Sequence, residues 1–222
     1  MSSAPESIGI IGGTGPEGRG LGLRFAAAGH QVLLGSRSRE RAAATARELS
    51  GRVEGHRIEG RSNAQAAADA DILIVTLPFP ALSDTLPELA EAAKGKLVIS
   101  AVVPLAFPEG RPVMLPVPAG SAAQEVQNLL PLAIVAAAFQ SLDSALLQDL
   151  GRSLDSDVIV TSDVADARHT VMSLAGELPG VRPLSAGRLA ASRFVEDVTG
   201  LLVTVNRIYK AHSGITITGL NR

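Results

Sequence analysis

The run Ile8-Gly9-Ile10-Ile11-Gly12-Gly13-Thr14-Gly15-Pro16-Glu17-Gly18 constrains the fold more than any other stretch of the chain. Ile8, Ile10 and Ile11 are β-branched and apolar, the composition of a short buried strand. Gly13, Thr14, Gly15 and Gly18 follow as G-x-G-x-x-G. The residues after them, with Leu21, Leu23, Phe25 and several alanines, have the character of a helix packed on a sheet. Strand, glycine turn and helix in that order are the context a dinucleotide fingerprint requires. On this reading Gly13 permits the tight turn, Gly15 lets backbone approach a pyrophosphate, and Gly18 lets the helix lie close to the strand. The helix N-terminus then offers unpaired N–H groups and a partial positive charge to the anion.

The second strand, residues 31–35, ends in Ser36-Arg37-Ser38-Arg39, with Arg41 close behind. A chain that selects NAD places a carboxylate here for the ribose hydroxyls. This chain places none. Arg37 and Arg41 can instead give charge-assisted hydrogen bonds to a 2′-phosphate, and Ser36 a hydroxyl. The pattern points to NADP. Arg39 and Arg47 read as the solvated face of the helix that follows.

Strand and helix patterns then alternate. A weak strand is expected at 57–60, a helix at 63–70 and a buried strand at 71–78 that stops at Pro78 and Pro80. A helix is expected at 81–93, a strand at 95–100, a loop at 107–118 and a helix at 121–130 capped by Ser121. A sixth strand is expected at 133–139. This alternation predicts an α/β fold, a Rossmann-type doubly wound and mostly parallel sheet. The pattern changes after Gln140, so a smaller, α-rich C-terminal domain is expected over 147–222, behind a nucleotide domain of 1–146. Its elements are a strand at 157–161, a helix at 164–178, an extended link at 182–187 and a long helix at 189–210 expected to pair with a second subunit.

The remaining chemistry is sparse. There is no cysteine, so disulfides, thiolate catalysis and cysteine-based zinc sites are excluded. His30, His56, His169 and His212 are scattered without metal-ligand spacing, and His30 reads as a cap for the first helix's C-terminus. The formal charge of −2 without a long basic run argues against nucleic acid as partner. The polar N-terminus and the short apolar run near 130–139 argue against a signal peptide or membrane span, and point to a cytoplasmic protein. No nucleophile–base set and no catalytic acid stand out. Reduction of a carbonyl needs a group to protonate the alkoxide. Hydride passing between two ring cofactors needs chiefly alignment and exclusion of water, so a flavin-like partner suits this chain.

Several motifs carry a more specific resemblance. Ile10-Ile11-Gly12-Gly13-Thr14-Gly15, Gly35-Ser36-Arg37, Thr76-Leu77-Pro78 and Val103-Pro104 resemble, in order and spacing, the archaeal and actinobacterial NADP reductases that use the deazaflavin coenzyme F420. So do Val171-Met172-Ser173-Leu174, Arg182-Pro183-Leu184-Ser185-Ala186-Gly187, Ser192-Arg193 and Glu196, which extend the resemblance over almost the whole chain. The resemblance implies hydride transfer between NADP and coenzyme F420 and small-molecule redox partners; the homodimer expected here rests on the long C-terminal helix. It implies NADP phosphates at Thr14, Gly15, Pro16 and Glu17, the 2′-phosphate at Ser36, Arg37 and Arg41, and the nicotinamide near Leu77, Val103 and Ala138. The deazaflavin would lie beside Gln140, Ser141 and Leu142. Family members often carry His where this chain has Gln140, which can still donate a hydrogen bond to a ring carbonyl. Another NADP-dependent reductase with an imine, carbonyl or flavin acceptor, or a non-enzymatic NADP sensor, remains an alternative at this level.

Overall fold

The computed structural model describes residues 6–53, 55 and 58–220. His56 and Arg57, the latter the expected start of the third strand, lie outside them. Ten strands and eight α-helices are described: β1 Ser7–Ile11, α1 Pro16–Ala27, β2 Gln31–Ser36, α2 Arg39–Ser50, β3 Ile58–Ser62, α3 Asn63–Asp69, β4 Ile72–Val75, α4 Leu82–Thr85, β5 Leu97–Ser100, β6 Leu105–Ala106, β7 Val113–Met114, α5 Ala122–Leu129, β8 Ile134–Ala137, α6 Ser144–Gln148, β9 Ser156–Ser162, α7 Ala165–Gly176, β10 Val181–Ser185 and α8 Ser192–Tyr209.

The main sheet runs β10-β9-β8-β5-β4-β1-β2-β3. All neighbours are parallel except β8 and β9. From β3 to β8 this is the doubly wound order, with its switch point between β1 and β4. The central strands are buried on both faces, which is why Ile8, Ile10, Ile74, Val98 and Ile99 form near-continuous apolar runs. Ligand-binding crevices of such sheets lie beyond the carboxyl ends of the strands at this point. Here those ends are Ile11, Val75 and Ser100.

The structure departs from several expectations for identifiable reasons. The sheet crosses the division expected at residue 147: β9 pairs antiparallel with β8 and satisfies its outer edge, and the expected link at 182–187 is strand β10, parallel to β9. The helix expected at 81–93 is broken into two 3₁₀ turns and the short α4, because Pro87 has no N–H to continue it. The loop expected at 107–118 contains one arm of a small hairpin, in which Leu105 pairs with Met114 and Ala106 with Val113. His30 does not cap α1 with its side chain. Its Nε2 meets Glu177 at 2.6 Å, while its backbone N–H bonds Phe25.

Long-range polar bonds fix the parts that frame the crevice. Arg24 on α1 is 2 % exposed and donates to the carbonyls of Leu146, Leu147, Asp149 and Arg152, all at 2.6–3.0 Å. Gly20 lets α6 sit against α1, since a Cβ there would come within 2.5 Å of Leu147 Cβ. Helix α8 is held at its first turn. Ser192 Oγ meets Thr161 Oγ1 at 2.6 Å, and the buried Glu196 carboxyl accepts from the N–H groups of Ala122 and Ala123 at 2.9 and 3.2 Å, capping α5.

Burial outweighs these two hydrogen bonds and pushes Glu196 up to about 7. The native state therefore binds a proton that the unfolded chain releases near its ordinary value. The stabilising contribution is complete in acid and is lost as pH rises through about 7. Urea unfolding is expected to show stability falling by up to about 3 kcal/mol from this group across that window. Glu196→Gln should make the fall shallower, and an unchanged slope in the variant would contradict the assignment.

Candidate functional site

Two neighbouring cavities, of about 470 and about 400 Å³, open at the carboxyl edge around the switch point and share Pro16, Glu17, Thr76 and Leu77 as a common wall. The smaller is lined by the glycine turn and the end of β2. The larger lies between the strand-end loops, the segment after β8, and helix α8.

The glycine turn is built of close backbone approaches. The left-handed residue is Gly12, with φ +82°, and its N–H donates to Asn63 Oδ1 at 3.2 Å. Gly13, expected to make the tight turn, instead packs tightly: a Cβ there would lie 2.9 Å from the Ile10 carbonyl oxygen and 3.2 Å from Leu34 Cα. Gly18 brings α1 onto the turn, since a Cβ would lie 2.6 Å from Gly13 Cα and 2.8 Å from Thr76 Oγ1. At Gly15, the N-cap of α1, a Cβ would meet only the Gly12 carbonyl oxygen at 3.5 Å. The protein's own packing does not need a glycine there, and the space at the helix N-terminus is left open to an approaching anion.

Beyond β2, the buried Ser36 accepts from the Ser38 N–H, and Ser38 caps α2 through the Arg41 N–H. Arg37 and Arg41 are exposed along the smaller cavity, and among the described residues neither guanidinium has an ion pair. Two cations without ion pairs thus flank a buried hydroxyl, an arrangement that suits an anion, while the Glu40 carboxylate accepts from Ser38 Oγ at 2.9 Å. Arg193, by contrast, meets Asp197 on α8.

The larger cavity holds the unusual groups. Phe139 adopts φ +75°, a strained conformation held by burial and an edge-on contact with Phe25 at 5.7 Å. This turn aims Gln140, Ser141 and Leu142 at the crevice. Gln140 is 5 % exposed, its backbone carbonyl accepts from Thr199 Oγ1, and neither atom of its side-chain amide has a partner. Glu17 is partly exposed as a residue, yet its Oε1 is sealed off and unpartnered. Desolvation first, and the nearby Asp143 charge second, hold the Glu17 carboxyl well above the usual carboxylate range. Asp143 is itself engaged, capping α6 through the N–H groups of Ala145 and Leu146 and meeting His212 Nδ1 at 3.0 Å.

Of the expected site residues, Thr14, Gly15, Pro16, Glu17, Ser36, Arg37, Arg41, Leu77, Val103, Gln140, Ser141 and Leu142 line one cavity or both. Gly13, Gly18 and Ala138 do not. The two glycines shape the turn, and Ala138 is fully buried behind Gln140. Sequence reasoning missed Asn63, which orients the turn. Its one local signal is the Ser62–Gln65 capping box that marks a helix start at the edge of β3. Thr199, Asn206 and Ser213 also line the larger cavity, and no local pattern announces them.

The strand order and the paired cavities at its carboxyl edge define a Rossmann-type dinucleotide-binding protein with a second ligand chamber. A family model described as "NADP oxidoreductase coenzyme F420-dependent" matches residues 7–104. The chain is 39% identical over 220 residues to the F420-dependent NADP reductase of Methanocaldococcus jannaschii, covering 96% of this chain and 98% of that one. It is 37% identical to the enzyme of the same name from Methanothermobacter thermautotrophicus, covering 96% and 95%. The crystal structure of an Arthrobacter sp. FB24 protein superposes with a TM-score of 0.83 at 24% identity, covering 97% of this chain and all of that one, and has the same fold. The chain belongs to the F420-dependent NADP reductase family.

The glycines make separable predictions. Gly15→Ala is expected to leave the melting temperature of the free protein unchanged and to weaken NADP(H) binding at least tenfold. Gly18→Ala is expected to destabilise the free protein, by roughly 1–3 kcal/mol. Thermal melts with and without NADP distinguish them. A Gly15→Ala variant that binds NADP normally would contradict the close-approach role.

Proposed function

We propose that this protein transfers hydride reversibly between NADP(H) and coenzyme F420 by direct ring-to-ring contact. The observation that carries the reading is the pair of cavities sharing one wall, with unpaired arginines around the first and an orphaned buried amide in the second. Ser36, Arg37 and Arg41 hold the 2′-phosphate, and Thr14, Gly15, Pro16 and Glu17 surround the phosphates at the N-terminus of α1. Leu77 at the shared wall and Val103 in the larger cavity support the nicotinamide. Gln140, Ser141 and Leu142 border the deazaflavin, whose ring carbonyls and N–H groups match the two unmet hydrogen-bonding atoms of Gln140. Residues 147–222 supply the far wall through α8 and the tail after it. The coenzymes provide the redox chemistry. The chain brings the two rings together, excludes water with aliphatic walls, and fixes their orientation.

In steady-state assays that follow deazaflavin absorbance, Arg37→Ala should raise KM for NADPH about tenfold or more, the worth of one charge-assisted hydrogen bond. Its KM for NADH should change little. Equal losses for both nucleotides would contradict the 2′-phosphate assignment. No absorbance change with either nucleotide in the parent protein would contradict the choice of F420.

We further propose a cytoplasmic homodimer. Coenzymes carrying several phosphate charges are retained inside the cell, which supports the setting. Phe194, Val198, Leu201, Val205 and Ile208 alternate at four- and three-residue spacing along α8, the repeat of a helix-pairing seam. Phe194, Leu201 and Ile208 are 73, 60 and 69 % exposed in the single chain. An apolar groove beside them, lined by Ile159, Val195 and Ile215 among others, could receive a partner side chain. Sedimentation is expected to give a dimer that Leu201→Glu converts to monomer. A monomeric parent protein would contradict this.

A further inference from the structure

Hydride uptake by an uncharged deazaflavin delivers two electrons and one hydrogen nucleus, so the neutral reduced ring needs one further proton. The sequence alone offers no acid for it. The fold brings one into the larger cavity.

Glu17 stands in the first turn of α1, on the wall common to both cavities. Its Oε1 is buried and makes no hydrogen bond among the described residues. Across the same cavity the Gln140 amide is also buried and unpartnered at both ends. These atoms have been stripped of water without receiving partners, an arrangement that costs stability unless a ligand completes it. Asp143 faces Glu17 from the start of α6, with His212 of the tail bonded to it on the far side. Helix α8 contributes Thr199 and Asn206 to the cavity, and the loop after β4 contributes Thr76 and Leu77, none of them titratable in this range.

We propose that Glu17 is the proton donor and acceptor of the deazaflavin chamber. As the hydride leaves the dihydronicotinamide and bonds to the deazaflavin ring carbon, the Glu17 O–H bond breaks and an N–H bond forms on the reduced ring. Glu17 is left as a carboxylate and recovers a proton from solvent. In the opposite direction the carboxylate accepts that proton as the hydride returns to NADP. Burial and the Asp143 charge favour the protonated form of Glu17, the form the first direction needs. Deazaflavin reduction should therefore slow as pH rises and Glu17 ionises, and NADP reduction should show the opposite limb.

This inference rests on the hydride-transfer reading, and its test separates the two. The infrared difference spectrum of parent minus E17Q, at about pH 7 and without coenzymes, is expected to contain the carbonyl band of a protonated carboxyl. The corresponding E196Q spectrum identifies the second buried acid. In turnover, E17Q should lose about 100-fold in kcat for deazaflavin reduction. The loss should fall on kcat, whatever E17Q does to KM for NADPH, and the alkaline limb should vanish, the signature of a lost transition-state role. E17D should restore part of the rate with a displaced limb, and it carries the test if E17Q does not fold. Absence of the band, a parental kcat in E17Q, or a raised KM at unchanged kcat would each overturn the proposal. A parent protein that shows the band but never reduces F420 would overturn the hydride-transfer reading itself.

Discussion

The whole site depends on how closely the N-terminus of α1 sits on the glycine turn. Gly18 and Gly13 touch backbone to backbone, and Thr76 at the end of β4 closes over the same point. Side chains on those two glycines would push the helix away from the sheet. The N–H groups of its first turn, the shared wall of the cavities and the position of Glu17 all follow from that contact. Gly12 then turns the chain in a left-handed conformation, and Asn63 holds its N–H from the next crossover. The helix N-terminus is thus framed mostly by backbone, and Ser36, Arg37 and Arg41, the proposed 2′-phosphate residues, add side chains from the end of β2 onward.

A second constraint fixes the other side of the crevice. Helix α8 rests on the protein through its first turn, where Ser192, Val195 and Glu196 are buried, and along its length through Thr199. Glu196 is costly to bury, yet it gives two otherwise unsatisfied N–H groups of α5 an acceptor and ties the two helices together. Arg24 does the same for the α6 region with four carbonyls. Buried ionisable groups hold the walls of the cleft at fixed positions, while the floor is aliphatic sheet. Two planar rings can be aligned in such a chamber without a dense set of polar contacts.

Much of this arrangement is legible in the amino-acid order. The strands around Ile10, Leu34, Ile74 and Ile99 are apolar on both faces, and the turns between them carry glycine, proline and capping serines. Ser36-Arg37 is legible as a strand end with a cation and no carboxylate, the feature on which the proposed 2′-phosphate subsite rests. What escapes local reading is set by partners distant in the chain. Nothing near residues 156–162 says that β9 runs antiparallel to β8, since pairing direction depends on the edge it meets. The left-handed turn falls at Gly12, and Gly13 serves packing, because contacts to Leu34 and Ile10 decide between adjacent glycines. Glu17 reads as one of the residues at the phosphate site, and its sealed, unpartnered Oε1 and the nearby Asp143 emerge only once the chain is folded.

The most direct test of the account follows the hydrogen. Purified protein is mixed with oxidised coenzyme F420 and NADPH carrying deuterium on the transferred face of its nicotinamide, in ordinary water, and the reduced deazaflavin is examined by mass spectrometry and NMR. Ring-to-ring transfer in a chamber closed to water predicts one deuterium per molecule, on the ring carbon, with no loss to solvent. Reduced deazaflavin without deuterium, or no reduction while NADPH still binds, would contradict it.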